Sequence, residues 1–338
     1  MKRFYLLTAM LPMAMATFAQ KSPFIQAVDE YRPAPGQFVN VLPELTAADN
    51  AETAAKKCSE SIAGRRNGYS VTLGAYGGYI TFHFDHSVIN VAGEPDLRIY
   101  GNAHPGSSEA GIVMVSKDEN GNGKPDDIWY ELSGSADVDS VGKVIYDYEI
   151  TYKPNPMNDI PWTDNKGKTG TVERIVLEEY PREQEYYPLW IKEDLTFKGT
   201  LLPKNSYTNK DGWWVQNSFR YGYVDNISNS DKPDFDIDNA VDANRNAVKL
   251  DKIDFVRVYN GLNDKCPRRN WVGELSTEVS GAEDLHPAAT NIDAPLNSNS
   301  ETMVKAIFTI DGKEVKELQR GINIVKFENG KVKKVIVK

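Results

Sequence analysis

Cysteine is almost absent from this chain: two residues, Cys58 and Cys266, in 338. A disulfide-stapled scaffold is therefore excluded. One Cys58–Cys266 bond and two separate buried thiols both stay open, because residues so far apart cannot be paired from spacing. Histidine is equally sparse. His83, His86, His104 and His286 are scattered; the first two, three apart in an alternating stretch, point to opposite faces, so no zinc-type spacing is written here. Positive charge is in deficit, with 39 Lys and Arg against 48 Asp and Glu, a net −9. That balance argues against nucleic-acid backbones and anionic membrane surfaces as partners. There is no Gly-x-Ser-x-Gly elbow and no cysteine with a loop histidine close in sequence. Carboxylates are too numerous for any pair to stand out as glycosidase-like. The expectation is a protein that is not an enzyme.

Long apolar runs are also lacking. Beyond the first 19 residues no segment is apolar enough to span a bilayer. Those 19 read as a signal peptide: Lys2 and Arg3 form a basic start, Phe4 to Met15 an apolar stretch, and Thr17-Phe18-Ala19 a cleavage site before Gln20. No cysteine stands near residue 20, which argues against a lipoprotein anchor. The expected address is extracellular, cell-surface or periplasmic.

What is present is material for a sizeable core: 40% hydrophobic and 26% charged residues exclude disorder by composition. Tyr31 to Gln37 is a loop by its Pro and Gly content. Asp49 with Glu52 reads as a capping box, and Ala51, Ala54, Ala55, Cys58 and Ile62 recur at helical spacing until Gly64. From Tyr69 the period changes to two. Ile80, Phe82 and Phe84 alternate with Tyr79, Thr81, His83 and Asp85. Further strands are expected at Leu97–Tyr100, Gly111–Ser116, Ile128–Leu132, Val144–Tyr152, Glu173–Glu178, Trp213–Val215 and Ile253–Tyr259. The expected class is all-β, an antiparallel jelly-roll β-sandwich with one short N-terminal helix. Lys153–Thr169 and Lys204–Asp211 read as long loops or an insertion at one end of the sandwich.

The domain plan follows. Residues 1–19 are the signal peptide, 20–290 the sandwich, 291–300 a linker, and 301–338 a small β tail. In that tail Val304–Ile310, Ile322–Phe327 and Lys333–Val337 read as strands joined by turns at Asp311-Gly312 and Asn329-Gly330.

The most specific local pattern is Asp118 to Asp127. Asp118, Asn120, Asn122, Lys124 (through its carbonyl) and Asp126 occupy positions 1, 3, 5, 7 and 9 of a Ca²⁺ loop, with Gly123 at position 6. Position 12 is Trp129, so this is not an EF-hand. The missing carboxylate would come from Asp127 or from the distant Glu109. The competing reading is an Asx-rich turn without an ion. A second acidic stretch, Asp234 to Asn246, has Ala247 where a loop glycine would stand, and reads as a turn. Aromatic rings supply the candidate ligand contacts: Trp213 and Trp214, adjacent in a strand so that one faces the core and the other out, and Tyr186, Tyr187 and Trp162 in or near the long loops.

Several segments carry a resemblance: Tyr31–Phe38, Leu73–Phe84, Gly111–Ser135, Phe235–Val258 and Trp271–His286. Through them the chain resembles a group of exported Bacteroidetes "cell surface proteins". More distantly it is similar to the galactose-binding-like jelly rolls of carbohydrate-binding modules and discoidin domains, which carry a structural calcium. The tail from Val304 to Lys338 is similar to the sorting domain of type IX secretion substrates, though shorter. The resemblance implies a calcium-stabilised ligand-capture protein for a glycan or a corrinoid such as cobalamin, accessory to an outer-membrane uptake system. The alternatives are a glycan-active hydrolase, or a structural or adhesive surface protein with no small ligand.

Overall fold

The computed structural model describes residues 21–174, 185–266, 275–288, 304–309, 312–316, 318–327 and 332–337. The expected signal peptide at 1–19, the expected linker at 291–300 and most of the strand expected at Glu173–Glu178 lie outside the described residues. Within them the fold is all-β, built of antiparallel sheets with one α-helix. No helix among the described residues is long and apolar enough to cross a membrane.

The main sheet has six strands in the spatial order Ala27–Arg32, Tyr79–Ile89, Lys252–Asn260, Gly111–Ser116, Trp129–Leu132 and Ala240–Val241. Its alternation is what the period of two demands. Ile80, Phe82, Val113, Val115, Val256 and Val258 go to one buried face. A three-stranded sheet, Asp234–Phe235, Leu97–Tyr100 and Gly281–Asp284, faces it, beside the short pair Val71–Thr72 and Glu278–Val279. These strands add Leu97, Ile99, Phe235, Val71, Val279 and Ala282 to the same core. Two sheet layers over one apolar core make a β-sandwich.

The helix Ala51–Ile62 closes one side of that core with Ala54, Ala55, Cys58 and Ile62. Its cap is one residue later than the sequence suggests. Asn50 accepts from the Thr53 N–H at 2.9 Å, and the Asn50 N–H donates to Thr53 Oγ1 at 2.9 Å. Asp49 turns instead to the Thr46 N–H at 2.7 Å and to Lys57 Nζ at 2.9 Å. Lys57 holds its carboxyl down to about 2. Neither cysteine forms a disulfide; both sulfurs are buried.

The stretch expected as a long loop or an insertion, Lys153–Thr169, contains the strand Ile160–Asp164 and runs into another at Thr169. Ile160–Asp164 and Thr169–Val172 form a hairpin that joins Ile145–Tyr152 and Leu195–Leu201 in a four-stranded sheet. Turn residues at both ends disguise it. Asp164 Oδ1 accepts from the Lys166 and Lys168 N–H groups at 2.9 and 2.7 Å, and Gly167 takes φ +79°. This sheet has its own core, with Tyr76, Tyr148, Ile150, Tyr152 and Phe197. Likewise Lys204–Asp211 contains the strand Ser206–Thr208, paired with Trp214–Gln216. In the tail, Val304–Thr309, Gly321–Phe327 and Val332–Val337 form the three expected strands, and Glu314–Val315 adds a short fourth.

Candidate functional site

Three carboxylates from three separate segments converge beneath the loop that leads into Gly111–Ser116. They belong to Glu109, Asp225 and Glu278, and one oxygen of each lies within 4.8 Å of the others. Asp225 and Glu278 are buried, at 1% and 5% exposure, and Glu109 is half-buried.

Backbone contacts set this arrangement. The Glu109 N–H donates to the Asp225 carbonyl at 2.9 Å, and Thr277 Oγ1 donates to the Glu109 carbonyl at 2.7 Å. Asp225 sits at φ +54°, a conformation that Asp and Asn tolerate better than other side-chain-bearing residues. Its Oδ1 accepts from the N–H groups of Asn102 and Ala103 at 2.6 and 2.7 Å, and its Oδ2 from the Glu278 N–H at 2.9 Å. Thr72 Oγ1 donates to Glu278 Oε1 at 2.8 Å, and Asn102 Nδ2 to Oε2 at 3.2 Å. Gly101 makes the approach possible, since a Cβ there would lie 2.3 Å from Asp225 Oδ1.

Burial pushes the Asp225 carboxyl up to about 6, and the three backbone donors and His104 offset only part of that. The donor set is oxygen only, with no thiolate and no imidazole. That chemistry suits a hard divalent ion such as Ca²⁺ over zinc or copper.

The sequence singled out Glu109 only as a remote partner for the Asp118 loop. The structure rules that pairing out. Glu109 precedes and Asp118 follows the six-residue strand Gly111–Ser116, so they stand at opposite ends of it, about 20 Å apart along the chain. Asp225 and Glu278 carry no local motif and were missed. Only the pairing of strands distant in sequence brings them to Glu109.

The Asp118 loop is a strand-to-strand connection, as expected, and mostly exposed. Asp118 Oδ1 accepts from the N–H groups of Gly121 and Asn122 at 2.8 and 3.1 Å, and Oδ2 from Gly123 at 2.9 Å. Asn120 Oδ1 and Asn122 Oδ1 accept from the N–H groups two residues on, at 2.9 and 2.8 Å. Asn122 Nδ2 donates to both Asp126 oxygens at 3.2 and 3.0 Å, and the Glu119 N–H donates to Asp127 Oδ2 at 3.2 Å. Asx turns thus organise the loop from within. The Lys124 N–H joins that pattern. The N–H of Asp118 donates to Asp254 Oδ2 at 2.9 Å, tying the loop to the neighbouring strand.

The aromatic candidates separate. Tyr186 and Tyr187 are 1% and 4% exposed and fill the core of the four-stranded sheet, so neither ring offers a face to a ligand. Trp162 packs half-buried against the same core. Trp213 is 69% exposed at the hairpin tip. Trp214 is half-buried, with Lys204 Nζ 5.3 Å over its ring and its Nε1 lacking a hydrogen-bond partner among the described residues. This hairpin is bound to the loop carrying Glu109: the Gln216 N–H donates to the Gly106 carbonyl at 2.9 Å, and Asn205 Nδ2 to the Ser108 carbonyl at 2.9 Å.

The histidines stay apart, as expected. His83 Nδ1 pairs with Asp29 at 2.8 Å, and His86 Nε2 with Asp284 at 2.6 Å. In comparisons with known proteins, no family model matches the chain and no curated protein matches it.

Proposed function

We propose that this is an exported ligand-binding protein whose loop end is held by a calcium-type cation at Glu109, Asp225 and Glu278. The observation that carries the reading is the convergence of three carboxylates from three segments within 4.8 Å, two of them buried. An ion there would lock together the loop before Gly111–Ser116, the turn at Asp225 and the Val71–Thr72/Glu278–Val279 strand pair. The Asp118–Asp127 loop, with the same oxygen chemistry but mostly exposed, is a second and weaker calcium position. The ligand class is a glycan or a corrinoid, and the role is capture at the cell surface beside an outer-membrane uptake system.

Thermal unfolding in calcium and in chelator tests the cation. Calcium should raise the melting temperature of the wild type. Glu109→Gln, which keeps the shape of a half-buried side chain, should lose most of that shift, whereas Asp118→Ala should keep most of it. No calcium shift in the wild type, or an undiminished shift in Glu109→Gln, would remove the cluster from the reading.

A further inference from the structure

A cleft of about 150 Å³ opens where the four-stranded sheet meets the outer face of the six-stranded sheet. Register places its floor. Glu30, Thr81, Arg257, Met114, Glu131 and Val241 are successive partners in one row across all six strands. The cleft lies at the Met114–Glu131–Val241 end of that row, with Trp129 on the same strand as Glu131. Tyr146 and Thr200, from the other sheet, form the opposite wall.

The polar groups of this cleft are fixed before any ligand arrives. Glu131 Oε1 accepts from Arg245 Nη1 at 2.6 Å, and its Oε2 from the hydroxyls of Thr200 at 2.8 Å and Tyr259 at 3.2 Å. Arg245 also donates to Asp137. The rings are fixed too. Arg257 lies 4.2 Å over Trp129 and Arg245 lies 4.8 Å over Tyr146, each cation covering one face. Arg257 is itself held by Glu30 at 2.5 Å and Thr81 at 2.9 Å.

The two cations at the cleft are already paired, and Arg245 is shared by Glu131 and Asp137. Glu131 pairs with Arg245, Asp147 pairs with Lys198 at 2.9 Å, and Asp242 caps its own turn through the N–H groups of Asn244 and Asn246 at 2.8 Å each. An anionic ligand would therefore find no free cation there. Unused hydrogen-bonding capacity nevertheless remains. The guanidinium of Arg245 has five N–H donors and spends only part of them, and Glu131 Oε1 has a second lone pair. Pinned rings beside a donor–acceptor pair, in a cleft of single-ring size, suit a neutral polyhydroxylated ring with one apolar face and adjacent hydroxyls.

The geometry points to a neutral monosaccharide unit, free or at the end of a glycan, as the occupant of the Trp129–Tyr146 cleft, with Arg245 and Glu131 bonding its hydroxyls. A corrinoid is too large for it. The inference rests on the ligand-binding reading above and narrows its ligand to sugar.

The test titrates the full chain with methyl glycosides of glucose, galactose and mannose by ligand-observed NMR, alongside an alkyl ammonium salt as a charged control. The key variant is Ala243→Trp, which fills the cleft from an exposed rim position without removing a contact. The expected result is saturable millimolar binding of at least one glycoside, weakened about tenfold or more in Ala243→Trp and in Tyr146→Ala, with the melting temperature of Ala243→Trp unchanged. Absence of binding by every glycoside overturns the proposal. So does binding that survives Ala243→Trp, or binding of the ammonium salt alone. The calcium shift is read separately in the same variants, so the cation reading and the sugar reading can fail independently.

Discussion

The backbone N–H of Glu278 donates to Asp225 Oδ2 at 2.9 Å, so one carboxylate-bearing residue orients the carboxylate of another. Main-chain atoms therefore set the spacing of the cluster, and it is preorganised to the extent that the Val71–Thr72/Glu278–Val279 pairing is intact.

Gly101→Ala tests that preorganisation without touching a ligand oxygen. A Cβ at position 101 would lie 2.3 Å from Asp225 Oδ1 and 2.8 Å from its Cα. The variant should lose about 1–3 kcal/mol of stability through overpacking, and its calcium shift in thermal unfolding should shrink with it. A wild-type calcium shift in Gly101→Ala would show that the cluster does not depend on this approach.

Asp118→Ala removes the acceptor of three backbone N–H groups in an exposed loop. Water can replace part of what is lost, so the cost in chelator should be about 1 kcal/mol by denaturant unfolding. The cost should be larger in calcium if the loop holds an ion. Equal costs in the two conditions would leave the loop as an Asx turn only.

Asp96 makes stability pH-dependent. Burial pushes its carboxyl up to about 6, although the N–H groups of Val91 and Ile237 donate to it at 2.7 and 2.9 Å. A folded-state pKa above the unfolded value of about 3.9 means that the folded protein binds this proton more tightly. The charged form therefore costs stability above about pH 6, and that cost is relieved as pH falls from 6 towards 4. The midpoint of urea unfolding of the wild type, relative to Asp96→Asn, should rise as pH is lowered from 7 to 4. A constant difference would refute the assignment.

Asp49 has the opposite sign. Lys57 holds it down to about 2, so its contribution is complete above the unfolded value of about 3.9 and is lost as pH falls through 2. Water reaches the pair through the exposed Lys57 and screens it, so Lys57→Met should cost no more than about 1 kcal/mol at pH 7. The difference from wild type should vanish in acid unfolding below pH 2.

Cys58 is fully buried in the main core and its thiol is pushed well up by burial, while Cys266 is 2% exposed. A thiol reagent should label neither in the native protein and both after unfolding without reductant. Failure to label either after unfolding would mean that the two sulfurs are bonded to each other.

The sequence by itself determined the class of the fold. Side chains in a strand alternate with period two, so Ile80, Phe82 and Phe84 were legible as a buried face from spacing alone. The same holds for the helix at Ala51–Ile62, whose core residues Ala54, Ala55, Cys58 and Ile62 recur at helical spacing, though its cap fell on Asn50 rather than Asp49. The Asp118 loop was legible because its hydrogen bonds close within ten residues. Where short strands are bounded by turn residues, as at Ile160–Asp164, local pattern and turn chemistry compete, and the hairpin was invisible. Burial of Tyr186 and Tyr187 was invisible for a related reason, since a ring beside a loop packs inward only if a second sheet is there to receive it. The tertiary structure alone decided the cluster. Glu109, Asp225 and Glu278 are separated by 116 and 53 residues, and no local periodicity encodes which distant strands will pair.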